Sequence, residues 1–333
     1  MMKRVFVSGG SGYIAMYCIK ILLNKGYQVI TSVRKQEKIN LVKDSLSKNS
    51  INYDNLEFCI LDLLEDDGWD DALKNCDFAI HMASPVIPGD VDYDMLVKPA
   101  FEGMKRCLNS AIKNDVKKFV LTSSFAAIYG NSKTEYDDND WTDLSDKTHM
   151  PYVISKTKAE KGMWDIIENS KSEIDACAIN PVLVLGPSMT GILSMSNRLT
   201  IKKLFKLPFI PNLSVSVVGV NDVADAHIMA METTNSKGKR FLLSEKTINL
   251  VELCKILRNS GFNKVPSFKI PNLILKFIAF FTPSLKMIAK RIGTHEKLHT
   301  INANEILNWY PKSVDKEIVD SAKQLYSEGL LKN

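Results

Sequence analysis

The sequence predicts an α/β chain: one parallel sheet flanked by helices, followed by a smaller, mostly helical C-terminal region. Three observations carry that reading. Short β-type runs alternate with helix-length apolar-periodic stretches over the first 180 residues, which is the rhythm of βαβ units. A glycine cluster falls between the first strand and the first helix, where such units receive phosphates. Beyond Pro181 the rhythm breaks, with strand-like returns only near Ser214–Val218 and Arg240–Leu243. The division we expect is therefore residues 1–180 with returning elements at 214–245, and a substrate-side region of 181–213 and 246–330.

The elements follow in order. Lys3–Ser8 is a β-branched and aromatic run, hence a strand. Tyr13–Asn24 is apolar at helical spacing and Gly26 ends it. Gln28–Val33 is a second strand and residues 36–47 a polar helix. Leu56–Leu61 and Asp77–Met82 are the third and fourth strands. A helix over Met95–Asn114 leads to a fifth strand, Val116–Thr122. Pro151 opens a helix, as proline does at a first turn, which covers Val153–Glu168 and precedes a sixth strand at Ala176–Asn180. Residues 130–148, with Tyr136-Asp137-Asp138-Asn139-Asp140, read as a polar surface loop.

Composition narrows the class. The chain has 333 residues, 43 Lys and Arg against 38 Asp and Glu, and 45% hydrophobic residues. That length buries a core without disulfides, and a net charge of +5 is too dilute for a nucleic-acid footprint. The six cysteines are scattered with no C-x-x-C pair, which fits free thiols in a reducing compartment. The apolar run after Lys3-Arg4 is too short for a signal-peptide core. The longest later apolar stretch contains Lys276 and falls short of the roughly 20 residues of a membrane-spanning helix. We expect a soluble cytoplasmic protein with no nucleic-acid partner.

Ser8-Gly9-Gly10-Ser11-Gly12-Tyr13-Ile14-Ala15 has the spacing of a dinucleotide-binding turn. Gly9 makes the tight bend, Gly12 lets backbone approach a pyrophosphate, and Ala15 permits close helix–strand packing. The end of the second strand then selects the cofactor. An acid there would bind the ribose 2′-hydroxyl of NAD, but this chain has Arg34-Lys35, and arginine accommodates a 2′-phosphate. The expected cofactor is NADP(H). Asp62, just past the third strand, reads either as an acceptor for the adenine amino group or as a loop cap.

Tyr152-Val153-Ile154-Ser155-Lys156 is a Y-x-x-x-K whose spacing puts both side chains on one helical face. An ammonium beside a phenol favours phenolate and lowers its pKa from about 10, so the tyrosine becomes a general acid near neutral pH. Tyr129-Gly130-Asn131-Ser132-Lys133 has the same pattern, but its Gly-Asn-Ser centre is turn chemistry. The fifth strand ends in Thr122-Ser123-Ser124, at the carboxyl edge of a parallel sheet where ligands bind. A hydroxyl partner for Tyr152 is therefore at hand.

Taken together, these motifs resemble the extended short-chain dehydrogenase/reductases. The branch most similar contains plant dihydroflavonol and cinnamoyl reductases and the yeast and bacterial NADPH-dependent aldehyde and ketone reductases. His81-Met82-Ala83-Ser84-Pro85, Lys98-Pro99-Ala100, Asn180-Pro181, Gly186-Pro187, Asn221-Asp222-Val223-Ala224-Asp225-Ala226-His227 and Leu307-Asn308-Trp309-Tyr310-Pro311-Lys312-Ser313 extend the resemblance along nearly the whole chain. The resemblance implies a modified Rossmann fold. It implies that Tyr152 protonates a carbonyl oxygen, that Lys156 lowers its pKa and binds the nicotinamide ribose, and that Ser124 polarises the carbonyl, with Ser123 as the alternate. It also implies that Gly9, Gly12, Tyr13, Ile14, Arg34, Lys35, Asp62, Leu63, Ala83, Ser84, Pro85, Thr122, Ser123, Pro181 and Val184 line the cofactor. Ala15, where nucleotide-sugar epimerases usually have a third glycine, and Arg34, where many have an acid, point away from NAD-linked epimerisation. Tyr129 departs from the asparagine of dihydroflavonol reductases.

Two further signals are weaker. His295-Glu296-Lys297-Leu298-His299 matches a zinc-protease pattern, but in a polar, lysine-rich stretch, and no metal is expected. Residues 264–292 combine Lys264, Lys269, Lys276, Lys286, Lys290 and Arg291 with a run of Leu, Ile and Phe and contain no acid. We read them as helices packing inward over the substrate pocket with their lysines in water, rather than as a membrane-surface segment. The sequence thus predicts a monomeric or homodimeric NADPH-dependent oxidoreductase acting on a small, largely apolar aldehyde or ketone. An NAD-linked nucleotide-sugar epimerase or dehydratase and a non-catalytic dinucleotide-binding regulator are the alternatives.

Overall fold

The computed structural model describes residues 2–86, 92–130, 133–281 and 291–331. Strand β1 (Arg4–Val7) leads through the glycine turn into α1 (Tyr13–Asn24), β2 (Gln28–Val33), α2 (Glu37–Lys48) and β3 (Leu56–Ile60). A short α3 (Trp69–Leu73) precedes β4 (Phe78–His81), α4 (Tyr93–Lys113) and β5 (Lys118–Thr122). After β6 (Glu135–Asp137) come α5 (Pro151–Ser170), β7 (Asp175–Pro181) and β8 (Leu183–Leu185). The rest comprises α6 (Met195–Asn197), β9 (Ser214–Gly219), α7 (Val220–Glu232), β10 (Arg240–Leu243), β11 (Lys246–Asn249), α8 (Leu250–Asn259), α9 (Asn272–Phe281) and β12 (Lys297–His299), then helices Ile301–Leu307 and Asp315–Ser327.

Seven strands form a parallel sheet in the order β10-β7-β5-β4-β1-β2-β3. Strand periodicity splits its side chains between two cores. Val5 and Val7 of β1 face α1 and α7 in one core, while Phe6 faces α4 and α5 in the other. A third cluster, with Leu253 and Leu257 of α8 against Ile318 and Leu325, fills the C-terminal region. The order reverses between β1 and β4, so the glycine turn opens at the switch point where such sheets bind ligands.

The two expected returns part company. Arg240–Leu243 joins the main sheet beside β7. Ser214–Gly219 instead pairs with β8 and β11 in a separate three-stranded sheet. The helix α3 was not expected: Trp69-Asp70-Asp71-Ala72-Leu73 is too short and acidic to show periodicity.

Two expectations need correction. Residues 130–148 are not simply a surface loop, since β6 pairs with β12 and both Tyr136 and Asp138 are buried. Asp138 accepts from the backbone N–H of Leu242 (2.6 Å) and of Asn302 (2.9 Å). Burial pushes its carboxyl above the usual aspartate range. The inward packing expected for residues 264–292 also fails over α9. Leu273, Ile274, Phe277, Phe280 and Phe281 are exposed there while Leu275 is buried. Amphipathicity predicts a stripe, not which side water sees. Lys286 and Lys290 lie outside the described residues, as do Asn131 and Ser132. The zinc-like pattern, set aside in the sequence, folds in part as strand β12, whereas such a site requires a helix. His299 bonds to Glu135 and Glu296 pairs with Arg291. Among the described residues, no helix is long and apolar enough to cross a membrane.

Candidate active site

The glycine turn is held from both sides. The Ser8 hydroxyl accepts from the N–H groups of Met82 (2.8 Å) and Ala83 (2.9 Å) and bonds to His81 Nδ1 (3.0 Å). Ser32 Oγ accepts from Gly9 N–H at 3.1 Å. Gly9 adopts φ +71°, and a Cβ there would sit 3.1 Å from Ala83 Cα, so only glycine meets both demands without strain. At Gly12, which begins α1, a Cβ would lie 2.9 Å from the Gly9 carbonyl oxygen. No side chain caps that helix start. Bare backbone at an uncapped helix N-terminus is what a pyrophosphate needs. Beside it, Ser84 Oγ and His81 Nε2 are buried without a hydrogen-bond partner. Buried polar atoms of this kind call for a ligand or water, so the residues present fit a dinucleotide.

Arg34, its side chain 75% exposed, pairs with Asp62 through Nε at 2.9 Å. The other Asp62 oxygen accepts from Leu64 N–H at 3.0 Å. That bond first, and then Arg34, holds the carboxyl below the usual aspartate range against the opposing effect of partial burial. The loop-cap alternative for Asp62 is therefore realised in the geometry. An exposed ion pair of this kind is worth about 0–1 kcal/mol, so Arg34 is only weakly held. Lys35 beside it is exposed. Leu63 packs on Gly103 and its carbonyl accepts from Arg106.

The residues expected to react meet at the carboxyl end of β5. Ser124 caps a single 3₁₀ turn, Phe125–Ala127, with its hydroxyl accepting from Ala126 N–H, and it lies beside the Tyr152 phenol, where it favours the phenolate. Ser123 turns the other way and donates to Glu160. Of the two serines, Ser123 is thus engaged by Glu160 and Ser124 is the one whose hydroxyl faces Tyr152. Lys156, 7% exposed, donates to the Thr122 carbonyl at 3.1 Å. Burial lowers its pKa to about 8, opposed by the nearby Glu160 charge. The expected pull of Lys156 on the phenol is not seen. Burial pushes Tyr152 above 10, with Ser124 acting against it, because desolvation of the phenolate outweighs its partners. Thr122 Oγ1 bonds to His227 Nε2 at 2.8 Å.

Other expected residues sit nearby in the fold with varied partners. Tyr13 is engaged at its hydroxyl, donating to the Gly186 carbonyl at 2.7 Å, and Ile14 packs on the core. Pro85 follows β4 and is partly exposed. Pro181 ends β7, and Val184 lies in β8 paired with Val218.

With this geometry in view, the relatives are informative. The family model described as NAD dependent epimerase/dehydratase family matches residues 5–244. Cinnamoyl-CoA reductase CAD2 of Medicago truncatula is 34% identical over 80% of this chain and 82% of its own length. This chain belongs to the NAD dependent epimerase/dehydratase family. A putative NADPH-dependent methylglyoxal reductase of Candida albicans is 32% identical over 76% of the chain and 82% of its own. The yeast methylglyoxal/isovaleraldehyde reductase Gre2, solved with NADPH, superposes with a TM-score of 0.82 at 27% identity, covering 98% and 100% of the two chains. The family membership agrees with the resemblance seen in the motifs.

Within this family member, sequence reasoning missed a buried polar group behind the serines. Asn180 Nδ2 donates to Glu160 (2.7 Å) and to the Ser124 carbonyl (3.2 Å). Arg240 pairs with Glu160 at 2.5 Å. The available signal was Glu160 one helical turn beyond Lys156, on the same face, and an arginine opening an otherwise apolar strand.

Proposed function

We propose that this protein is an NADPH-dependent reductase that converts an aldehyde or ketone to the alcohol. It is a reductase of the extended short-chain type, and the observation that carries the finer reading is the Ser124–Tyr152 contact beside buried Lys156. That trio sits at the same sheet edge as the bare glycine turn. The nicotinamide cofactor, when bound, supplies the hydride. Gly9, Gly12 and the start of α1 hold its pyrophosphate, and Arg34 with Lys35 holds the 2′-phosphate. Ala83, Ser84, Pro85, Pro181 and Val184 line its length. The Ser124 hydroxyl donates to the substrate oxygen and orients it. Tyr152 delivers the proton, a contribution of about 10²–10⁴ in rate. Lys156 lies one turn along α5, buried at the same edge, where it binds the nicotinamide ribose. The raised pKa of free Tyr152 keeps its proton in place until a developing alkoxide takes it.

The substrate reading is a small, largely apolar carbonyl compound. Phe125 directly follows Ser124 and packs at a tilt against Tyr129, 5.6 Å between ring centroids, an apolar surface next to the polar pair. A panel of aldehydes and ketones tests the reading, with NADPH and NADH each consumed in parallel assays. The expected result is turnover of at least one apolar carbonyl with NADPH favoured. Absence of turnover across the panel, or release of tightly held NAD from the purified protein, contradicts it.

A further inference from the structure

Behind the reactive serine lies a buried ion pair that the reaction just described does not use. Glu160 is 0% exposed and Arg240 is 7% exposed. Their pair at 2.5 Å joins α5 to β10 across the main sheet. Taking both charges out of water is expensive, and hydrophobic replacements are often as stable. Its retention here needs a reason beyond holding the fold together.

The geometry points to Glu160, with Arg240 as its counter-ion, as a positioning residue for the catalytic centre. It rests on the reductase reading above and deepens it. Glu160 reaches the serine loop by two arms. It accepts from Ser123 Oγ, which turns that hydroxyl away from the site and leaves Ser124 to face Tyr152. It also accepts from Asn180 Nδ2, and the same amide nitrogen donates to the Ser124 carbonyl. Arg240 grips the following turn from the far side. Its guanidinium donates to the carbonyls of Ala127, Asp138 and Asp140 and lies 3.7 Å from the Trp141 ring centroid. The Ser124 backbone is thus fixed at its carbonyl and at the turn that follows.

Glu160 has a second influence, on charge. It stands one turn after Lys156 on α5, and its negative charge favours the ammonium form against burial. The other groups facing Lys156 offer no such compensation. From β4 comes His81, which burial keeps neutral. From the end of β5 come the Thr122 carbonyl and Ser123. Tyr152 precedes Lys156 on its own helix and is held protonated. Arg240, from β10, is positive and stands behind Glu160. Among the described residues facing Lys156, Glu160 is therefore the negative charge that favours its ammonium form.

Two variants separate this role from a merely structural one, with activity counted per NADPH-binding site by fluorescence titration. Glu160→Gln keeps the volume and the oxygen that Ser123 and Asn180 share, but removes the charge and the acceptor facing Arg240. The expected result is a kcat lower by about tenfold or more with KM for NADPH little changed. The alkaline limb of its pH profile should move down by about one unit. Asn180→Ala cuts the arm to Ser124 and leaves the charge, so kcat should fall by a similar factor while the alkaline limb stays in place. A Glu160→Gln profile that superposes on wild type, or an Asn180→Ala kcat within about twofold of wild type, overturns the proposal. If Glu160→Gln does not fold, Asn180→Ala alone decides the matter. Wild-type turnover is measured first: its absence sinks the reductase reading and this proposal together, whereas normal turnover with unaffected variants sinks only the proposal.

Discussion

Single residues carry the chemistry and the cofactor choice. Arg34 is exposed and loosely paired with Asp62, so its replacement should leave folding intact. Arg34→Asp is expected to weaken NADPH binding by about 2 kcal/mol or more through loss of a charge-assisted phosphate contact. NADH binding should change little, and titration of both cofactors checks this. Equal effects on the two would remove Arg34 from the 2′-phosphate. The placing of Arg34 at a strand end and of Tyr152 and Lys156 on one helix was legible in sequence, because each rests on short-range spacing. Glu160, Asn180 and Arg240 were not, since they meet only when α5, β7 and β10 assemble. Asp138 was misjudged for the same reason: an acidic run looks solvated until distant backbone donors are known.

At the level of elements, Tyr13–Asn24 and Gln28–Val33 coincide with α1 and β2 as observed. Their periods are clean, and Gly26 punctuates the connection. Strand ends elsewhere differ by one or two residues, as helix and strand boundaries generally do. The irregular C-terminal region was less legible because its strands are short and its partners distant. Helix α9 shows the difference between pattern and placement. Its exposed stripe predicts that Phe277→Ser shifts stability by no more than about 0.5 kcal/mol. Leu275→Ala on the buried side should cost roughly 2–5 kcal/mol. Denaturant titration of the two variants measures both, and a large loss for Phe277→Ser would place that side chain in a core.

For the whole molecule, two buried histidines make stability depend on acid. Burial lowers His81 to about 3 and His227 to about 4. Both rings stay neutral when folded and take up protons on unfolding below pH about 6.5. Stability is therefore full above that pH and is lost as the pH falls towards 4, by about 3 kcal/mol or more for each ring. Thermal unfolding across that window should show Tm falling steeply with acid, and a flat Tm would mean the rings are charged or solvated. The same compact frame sets the glycine turn, Arg34 and the Ser124–Tyr152–Lys156 group at one sheet edge, and the central claim is that this edge reduces a carbonyl with Tyr152 as proton donor. Tyr152→Phe tests it most directly, with turnover of the best carbonyl substrate and NADPH affinity measured on the same preparation. The account predicts loss of turnover by about 10²-fold or more with NADPH binding retained, and turnover near the wild-type rate in that variant would contradict it.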